Sequence, residues 1–197
     1  SNKKYESKVQ SRTIQDLPEG DVLIKVYFSS LNYKDALSAI GNKGVSRNYP
    51  HTPGIDAAGI IETSESKNFK VGEEVIVTGY DLGMNTSGGF SEYIRVPREW
   101  VVKKPEGISL SESMALGTAG LTAGLCVRKL INHKLTPDSG KLFVTGATGG
   151  VGIVAMMLLS KLGFEVVAIT GKLDSQDMLK EYGAVSYTHL RAHETSV

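Results

Sequence analysis

Cysteine is almost missing from this chain: Cys126 is the single one among 197 residues. One thiol cannot close an intramolecular disulfide, and a Cys-rich zinc site needs several such ligands at close spacing, so both are excluded. An excess of either charge is missing as well. The formal net charge of +1 supplies no general pull toward nucleic acid or an anionic membrane. No segment approaches eighteen uninterrupted apolar residues, and the opening "SNKKYESKVQ" has no apolar signal core. These absences describe a soluble, cytoplasmic chain without a nucleic-acid or membrane partner. What is present suffices for a core: 41% of the residues are hydrophobic, and the length suits one large domain or two small ones.

The pattern changes near residue 110. Before it, "DVLIKVYFSS", "DAAGIIETSE", "VGEEVIVTGY", "GGFSEYIRV" and "WVVKKP" read as short strands punctuated by Gly and Pro. Such a series predicts a β-rich domain of barrel or sandwich type. One helix interrupts it at "NYKDALSAIG", which closes on Gly41. After residue 110, "SLSESMALGTAGLTAGLCVRKLI" has small and apolar residues at helical spacing, with Ser109 or Ser111 as N-cap. "KLFVTG" reads as a buried strand, "GVGIVAMMLLSKLG" as a helix, "FEVVAIT" as a strand, and "SQDMLKEYG" as a helix capped by Asp174 or Ser175. Strand and helix in alternation open a doubly wound parallel sheet. The fold class is therefore α/β, with a β-rich domain over 1–112 and the first part of a nucleotide-binding domain over 113–184.

The junction "KLFVTGATGGVG" sets an apolar strand directly against small residues. A tight turn needs some of them. A phosphate site needs them too: small residues let the strand turn sharply into the helix, let backbone approach the anion, and let helix and strand pack closely. Ala147, Gly149 and Gly152 fit small-x-Gly-x-x-Gly, and Gly150 adds room. The strand before, the helix after and the second strand at the expected distance favour nucleotide binding over a bare turn.

The end of that second strand discriminates between cofactors. NAD sites usually place a carboxylate there, about twenty residues past the glycines, to bind the ribose hydroxyls. Here the chain reads "AITGKLD", so Thr170, Gly171 and Lys172 hold the place. No acid repels a 2′-phosphate, and Lys172 offers it a cation. A solvated turn lysine is the plainer reading of Lys172. With the missing acid it favours NADPH.

The glycine run also fits Thr-Gly-x-x-x-Gly-x-Gly of short-chain dehydrogenases. That family opens with the loop near its N-terminus and carries Tyr-x-x-x-Lys downstream, and neither holds here. The segments "DLPEGDVLIKVYFSSLNYKDALSAIG", "YPHTPGIDAAGIIE", "GGFSEYIRVP", "MALGTAGLTAGLCV" and "VTGATGGVGIVAMMLLSKLGFEVVAITGK" instead resemble the medium-chain dehydrogenase/reductase superfamily. Their closest likeness is to its zinc-free, quinone oxidoreductase-like branch, which includes NADPH-dependent acrylyl-CoA reductases. The resemblance implies a GroES-like first domain and a Rossmann second one. Zinc alcohol dehydrogenases of the superfamily place a Cys ligand at or near Asn32 and Gly-His-Glu at Gly54, Ile55 and Asp56. Here both zinc sites lack their ligands, which points away from alcohol oxidation and toward metal-free reduction of an activated C=C bond or a quinone.

Residue roles follow from the same resemblance. "NYKD" lies beside the nicotinamide, so Tyr33 contacts NADPH and is a candidate proton donor, and Asp35 is a candidate for orienting the site. Asn32 and Asp35 would serve equally as helix caps. Thr118 falls where the domain crossover approaches the nicotinamide, or is merely small for packing. Thr148, Gly149, Gly150 and Val151 become phosphate contacts, and Thr170, Gly171 and Lys172 contacts to the 2′-phosphate. The function implied is NADPH-dependent reduction of acrylyl-CoA or a related enoyl thioester. Quinone reduction is the alternative among enzymes, and a non-catalytic, crystallin-like NADPH-binding protein is the alternative of another class.

Other features are set aside. His51 and His133 share no ligand spacing and read as surface or loop residues, and Cys126 in "GLCVRKL" reads as core. Past Ala184, "VSYTHLRAHETSV" resembles a foreign read-through tail, so His189 and His193, four apart, are not taken as a metal pair. Family strands are expected to fall outside this chain at both ends. On that expectation the chain alone is inactive or poorly folded, and any homodimer contact lies past Ala184.

Overall fold

A computed structural model describes residues 5–189. The chain parts into two compact units after Thr118.

In the first unit, strands β1 (Val22–Phe28), β2 (Asp56–Ser64), β3 (Glu74–Thr78), β4 (Tyr93–Val96) and β5 (Val101–Lys103) form one sheet. The order is β4-β1-β2-β3-β5, and every pairing is antiparallel. Ile24 stands opposite Ile94 on one side and Ile61 on the other. All three are buried, and with Val22, Val75, Val77, Val96 and Leu82 they make the core. Each such side chain contributes roughly 1.5–3 kcal/mol by leaving water. Helix α1 (Tyr33–Ala39) lies between β1 and β2 in the chain. Its Ser38 is fully buried: the hydroxyl lies 2.7 Å from Ser46 Oγ and 2.8 Å from His51 Nε2. His51, read from the sequence as surface or loop, thus belongs to a half-buried polar network. Its Nδ1 lies 2.7 Å from the Asn48 carbonyl, which can only accept, so that nitrogen carries the proton.

Helix α2 (Leu110–Asn132) starts on a capping box. Ser109 Oγ accepts from Glu112 N–H at 3.2 Å while the Glu112 carboxylate accepts from Ser109 N–H at 2.7 Å. That backbone bond, followed by the Ser109 hydroxyl, holds the Glu112 carboxyl below its usual range. Leu110 and Met114 are buried against Ala58 of β2. These contacts explain why the first unit runs on to Thr118, beyond the change of pattern at residue 112. At Gly117 the backbone leaves the helical region, at φ 47° and ψ −150°. On length and composition α2 would pass for a membrane span. The break leaves Thr118–Asn132, shorter than the ~20 residues a span needs.

The second unit continues with β6 (Leu142–Thr145), α3 (Gly150–Lys161), β7 (Val166–Thr170), α4 (Gln176–Glu181) and β8 (Ala184–His189). The three strands are parallel in the order β6-β7-β8. Val166 and Ala168 of β7, Met156 and Leu159 of α3, Leu179 of α4 and Val127 of α2 share its core. Two sequence readings change here. "KLFVTG" is an edge strand, with Phe143 63% exposed, because β6 is paired on one side only among the described residues. The chain past Ala184, read as foreign to the pattern, continues as a third strand to His189. Val185, Tyr187 and Thr188 are the β-branched and aromatic types that fit a pleated surface, and Tyr187 packs on the core. An edge position does not demand the apolar run expected of a central strand. His189 lies on that strand, while His193 falls outside the described residues.

Candidate functional site

In the second unit the glycine run does what a phosphate loop requires. After β6 the chain turns at Gly146 (φ 61°), Ala147 N–H donates to the Ile169 carbonyl at 3.2 Å, and Gly149 N–H donates to Gly146 O at 2.8 Å. The loop is thereby fastened to β7 before α3 begins. Gly152 lies in the first turn of α3, and a Cβ there would collide with the Gly146 carbonyl and sit 2.9 Å from Ala147 Cα. Glycine is what permits that approach. The N-cap is Gly149, no side chain caps it, and no acid stands in the first turn. The positive end of the α3 dipole is thus offered to an anion. A cleft of about 690 Å³ adjoins the loop, with Gly149, Gly150 and Val151 on its wall beside Leu130 and Phe143. Cys126 also lines it and is exposed, so the buried position read from its apolar neighbours is corrected.

The end of β7 meets this loop. Thr148 Oγ1 and Thr170 Oγ1 are 3.2 Å apart, and Lys172 N–H donates to Thr170 Oγ1 at 3.1 Å. Thr170 is buried, whereas Gly171 and Lys172 are exposed. A Cβ at Gly171 would meet nothing within 4 Å, so the place has room for a ligand group. All seven residues expected at the phosphates and the 2′-phosphate therefore lie on the β6–α3 junction or the end of β7. The donor set, backbone N–H groups with hydroxyls and one ammonium, fits a dinucleotide carrying an extra phosphate.

In the first unit, Tyr33 opens α1 with its side chain 81% exposed. Asp35 is different, being 1% exposed. Its Oδ2 accepts from Asn32 N–H at 2.7 Å, and its Oδ1 from Gly54 N–H at 3.1 Å and Ile55 N–H at 2.9 Å. This is the cap considered from the sequence, extended to pin the chain entering β2. A carboxylate so enclosed acts by positioning the backbone of "NYKD" and of the chain entering β2.

Sequence reasoning missed the centre of this unit. Asp56 was noted only where a zinc motif lacked its ligands, yet it is fully buried and gathers the surrounding groups. Its Oδ2 accepts from Asn32 Nδ2 and from Thr118 N–H, both at 2.9 Å, and its Oδ1 from Thr118 Oγ1 at 2.8 Å. Ser29 Oγ donates to the Asp56 carbonyl at 2.6 Å, and Ser30 Oγ to the Met114 carbonyl at 2.7 Å. One signal was available: a charged residue opening the apolar strand "DAAGII" must be satisfied by neighbours once buried. Thr118 is therefore more than small. It is fixed at the helix break by two bonds to Asp56. Among the described residues no group of three His, Cys, Asp or Glu converges as metal ligands would.

Gly117 makes the arrangement possible. A Cβ there would strike Ser30 Oγ and lie 2.7 Å from Asp56 Oδ2, in a backbone region only glycine tolerates. Gly117→Ala is expected to cost about 2–4 kcal/mol of stability, read from a urea transition. A loss below about 0.5 kcal/mol would show that the break carries no such constraint.

Residues 18–106 match the alcohol dehydrogenase GroES-like domain. The acrylyl-CoA reductase AcuI of Ruegeria pomeroyi is 44% identical over 92% of this chain and 55% of its own length. The yhdH oxidoreductase of Salmonella enterica, solved in complex with NADP, superposes with a TM-score of 0.93 at 43% identity, over 96% of this chain and 58% of that one. Bacillus subtilis yhfP, solved with NAD bound, gives 0.89 at 46% identity, over 92% and 55%. The chain thus spans little more than half the length of these relatives. An antiparallel GroES-like unit followed by a parallel unit with an uncapped glycine loop, at this identity, establishes that the chain belongs to the medium-chain dehydrogenase/reductase superfamily.

Proposed function

We propose that the protein is a zinc-independent, NADPH-dependent oxidoreductase that reduces an activated C=C bond, with acrylyl-CoA or a related enoyl thioester as substrate. The observation that carries this reading is the junction of two loops in the second unit. An uncapped, acid-free helix N-terminus lies beside a β7 end where Thr170, Gly171 and Lys172 replace the usual ribose-binding carboxylate. When bound, the cofactor supplies the hydride. The chain's own residues do the rest: α3 and its loop, with Thr148, Gly149, Gly150 and Val151, hold the pyrophosphate, Thr170, Gly171 and Lys172 hold the 2′-phosphate, and Tyr33 offers an exposed phenol to the substrate side. Asp35 keeps "NYKD" in place as a buried cap. A small-molecule substrate, a cytoplasmic setting and a homodimer complete the proposal.

The test is consumption of NADPH and NADH by the purified full-length gene product, with acrylyl-CoA and with a quinone as acceptors. NADPH with the thioester is expected to be fastest. Equal use of NADH would overturn the assignment of Lys172, which matters because one relative was solved with NAD. A faster quinone reaction would move the substrate to the alternative, and binding without turnover would favour a crystallin-like role. The cofactor assignment also makes a prediction at Gly171, where a side chain has space. Gly171→Asp is expected to shift the ratio of NADPH to NADH affinity by roughly tenfold to a hundredfold toward NADH, because its carboxylate repels the 2′-phosphate. Fluorescence titration with both cofactors reads this directly.

A further inference from the structure

We propose that the hydroxyls of Thr148 and Thr170 fix the spacing of two phosphate subsites in the second unit. That spacing selects an adenosine bearing a 2′-phosphate over one bearing a 3′-phosphate, and the assignment rests on the NADPH reading above. The choice matters for the proposed chemistry. NADPH and coenzyme A thioesters both carry a diphosphate on the 5′ oxygen of adenosine, and they differ there in whether a further phosphate sits on the 2′ or the 3′ oxygen. A reductase of such thioesters therefore meets its own substrate and product as competitors for its cofactor site.

The two threonines are held by backbone before their side chains meet. Thr170 ends β7, which is paired with β6 on one side and β8 on the other, and it is 4% exposed. Thr148 follows Ala147, which is fully buried and whose N–H donates to the Ile169 carbonyl at 3.2 Å. The two Oγ1 atoms then lie 3.2 Å apart, although the residues are 22 positions apart in sequence. Thr170 Oγ1 also accepts from Lys172 N–H at 3.1 Å, which sets the exposed turn at Gly171 and Lys172. One hydroxyl pair thus joins the loop assigned to the 5′-phosphates to the turn assigned to the ribose phosphate. Charge-assisted bonds from Lys172 and from backbone N–H groups weaken steeply once distance or angle is lost. With the two subsites locked together, a phosphate moved to the neighbouring ribose carbon no longer meets both sets of donors at once. Without the lock, the turn has open space around Gly171 in which to follow it.

The experiment is equilibrium binding of adenosine 2′,5′-bisphosphate and adenosine 3′,5′-bisphosphate, each alone, to the full-length gene product. The variants are Thr148→Val, Thr148→Ser, Thr170→Val and the double valine variant. Wild type is expected to bind the 2′ isomer at least about tenfold more tightly. Valine removes a hydroxyl at nearly constant volume, and in each single valine variant that preference is expected to fall below about threefold. The double variant falls no further than the lower single one, as a pair acting together requires. Thr148→Ser keeps a hydroxyl and retains the preference. Equal weakening of both isomers by Thr148→Val marks a direct contact to the 5′-phosphates alone and overturns the proposal. So do additive losses in the double variant, or a wild type without preference. If Thr170→Val fails to show a cooperative unfolding transition, Thr148→Val decides by the same ratio. If wild type binds neither the 2′ isomer nor NADPH, the NADPH reading falls and this proposal falls with it. If wild type prefers the 2′ isomer and Thr148→Val does not move the ratio, the NADPH reading stands and the spacing role is refuted.

Discussion

Asp35→Ala is expected to destabilise the first unit by about 3–5 kcal/mol, enough to unfold many domains outright. The substitution removes one buried carboxylate and strands three backbone N–H groups, those of Asn32, Gly54 and Ile55. Each stranded donor costs roughly 1–3 kcal/mol, partly relieved where water can enter. Asp35→Asn keeps the volume and one acceptor oxygen for Gly54 and Ile55 but sets an NH₂ against the Asn32 N–H, so it should recover part of the loss. Chemical denaturation of both variants measures the effect. The result separates the two readings of "NYKD": a catalytic Asp35 would leave the unfolding transition nearly in place while abolishing turnover. A shift below about 1 kcal/mol would contradict the capping geometry.

Gly152→Val is expected to lower NADPH affinity roughly a hundredfold and stability by about 2–4 kcal/mol. A glycine in the first turns of a helix normally gains stability when replaced, by up to about 1 kcal/mol for alanine. Here the sign reverses, because the new Cβ meets backbone at Gly146 and Ala147 rather than a side chain that can swing away. Relief requires moving the loop off β7, breaking the bond from Ala147 N–H to Ile169 O and displacing the donors that face the anion. Cofactor titration and thermal unfolding on one preparation test both halves. Stabilisation, or unaltered binding, would show that the loop is not closely packed.

The parts of the molecule with strong period and strong punctuation were legible from sequence. β1 to β5 alternate between Gly and Pro signals, and the strand–glycine–helix junction at 141–163 has one reading once its flanks are considered. The seven residues proposed for the phosphates sit together on two short segments, the β6–α3 junction and the end of β7, a grouping that sequence order alone conveys. Asp56 was not, because its meaning depends on Thr118, 62 residues away, and on a helix break that no local pattern announces. Gly117 sits in "MALGTAGL", where small residues at helical spacing read as uninterrupted helix. Cys126 was misplaced for a related reason: exposure depends on which face of a helix a neighbour covers. β8 was missed since strand composition at a sheet edge is too mixed to separate from a linker.

The one-sided position of β6 has a consequence for handling the protein. "LFVT" contains no charge and no proline, among the described residues no strand pairs with its outer edge, and Phe143 stands out beside it. Folded proteins usually blunt such an edge with lysine, a bulge or a cover. Left bare, such an edge is a template on which a second molecule can add a strand.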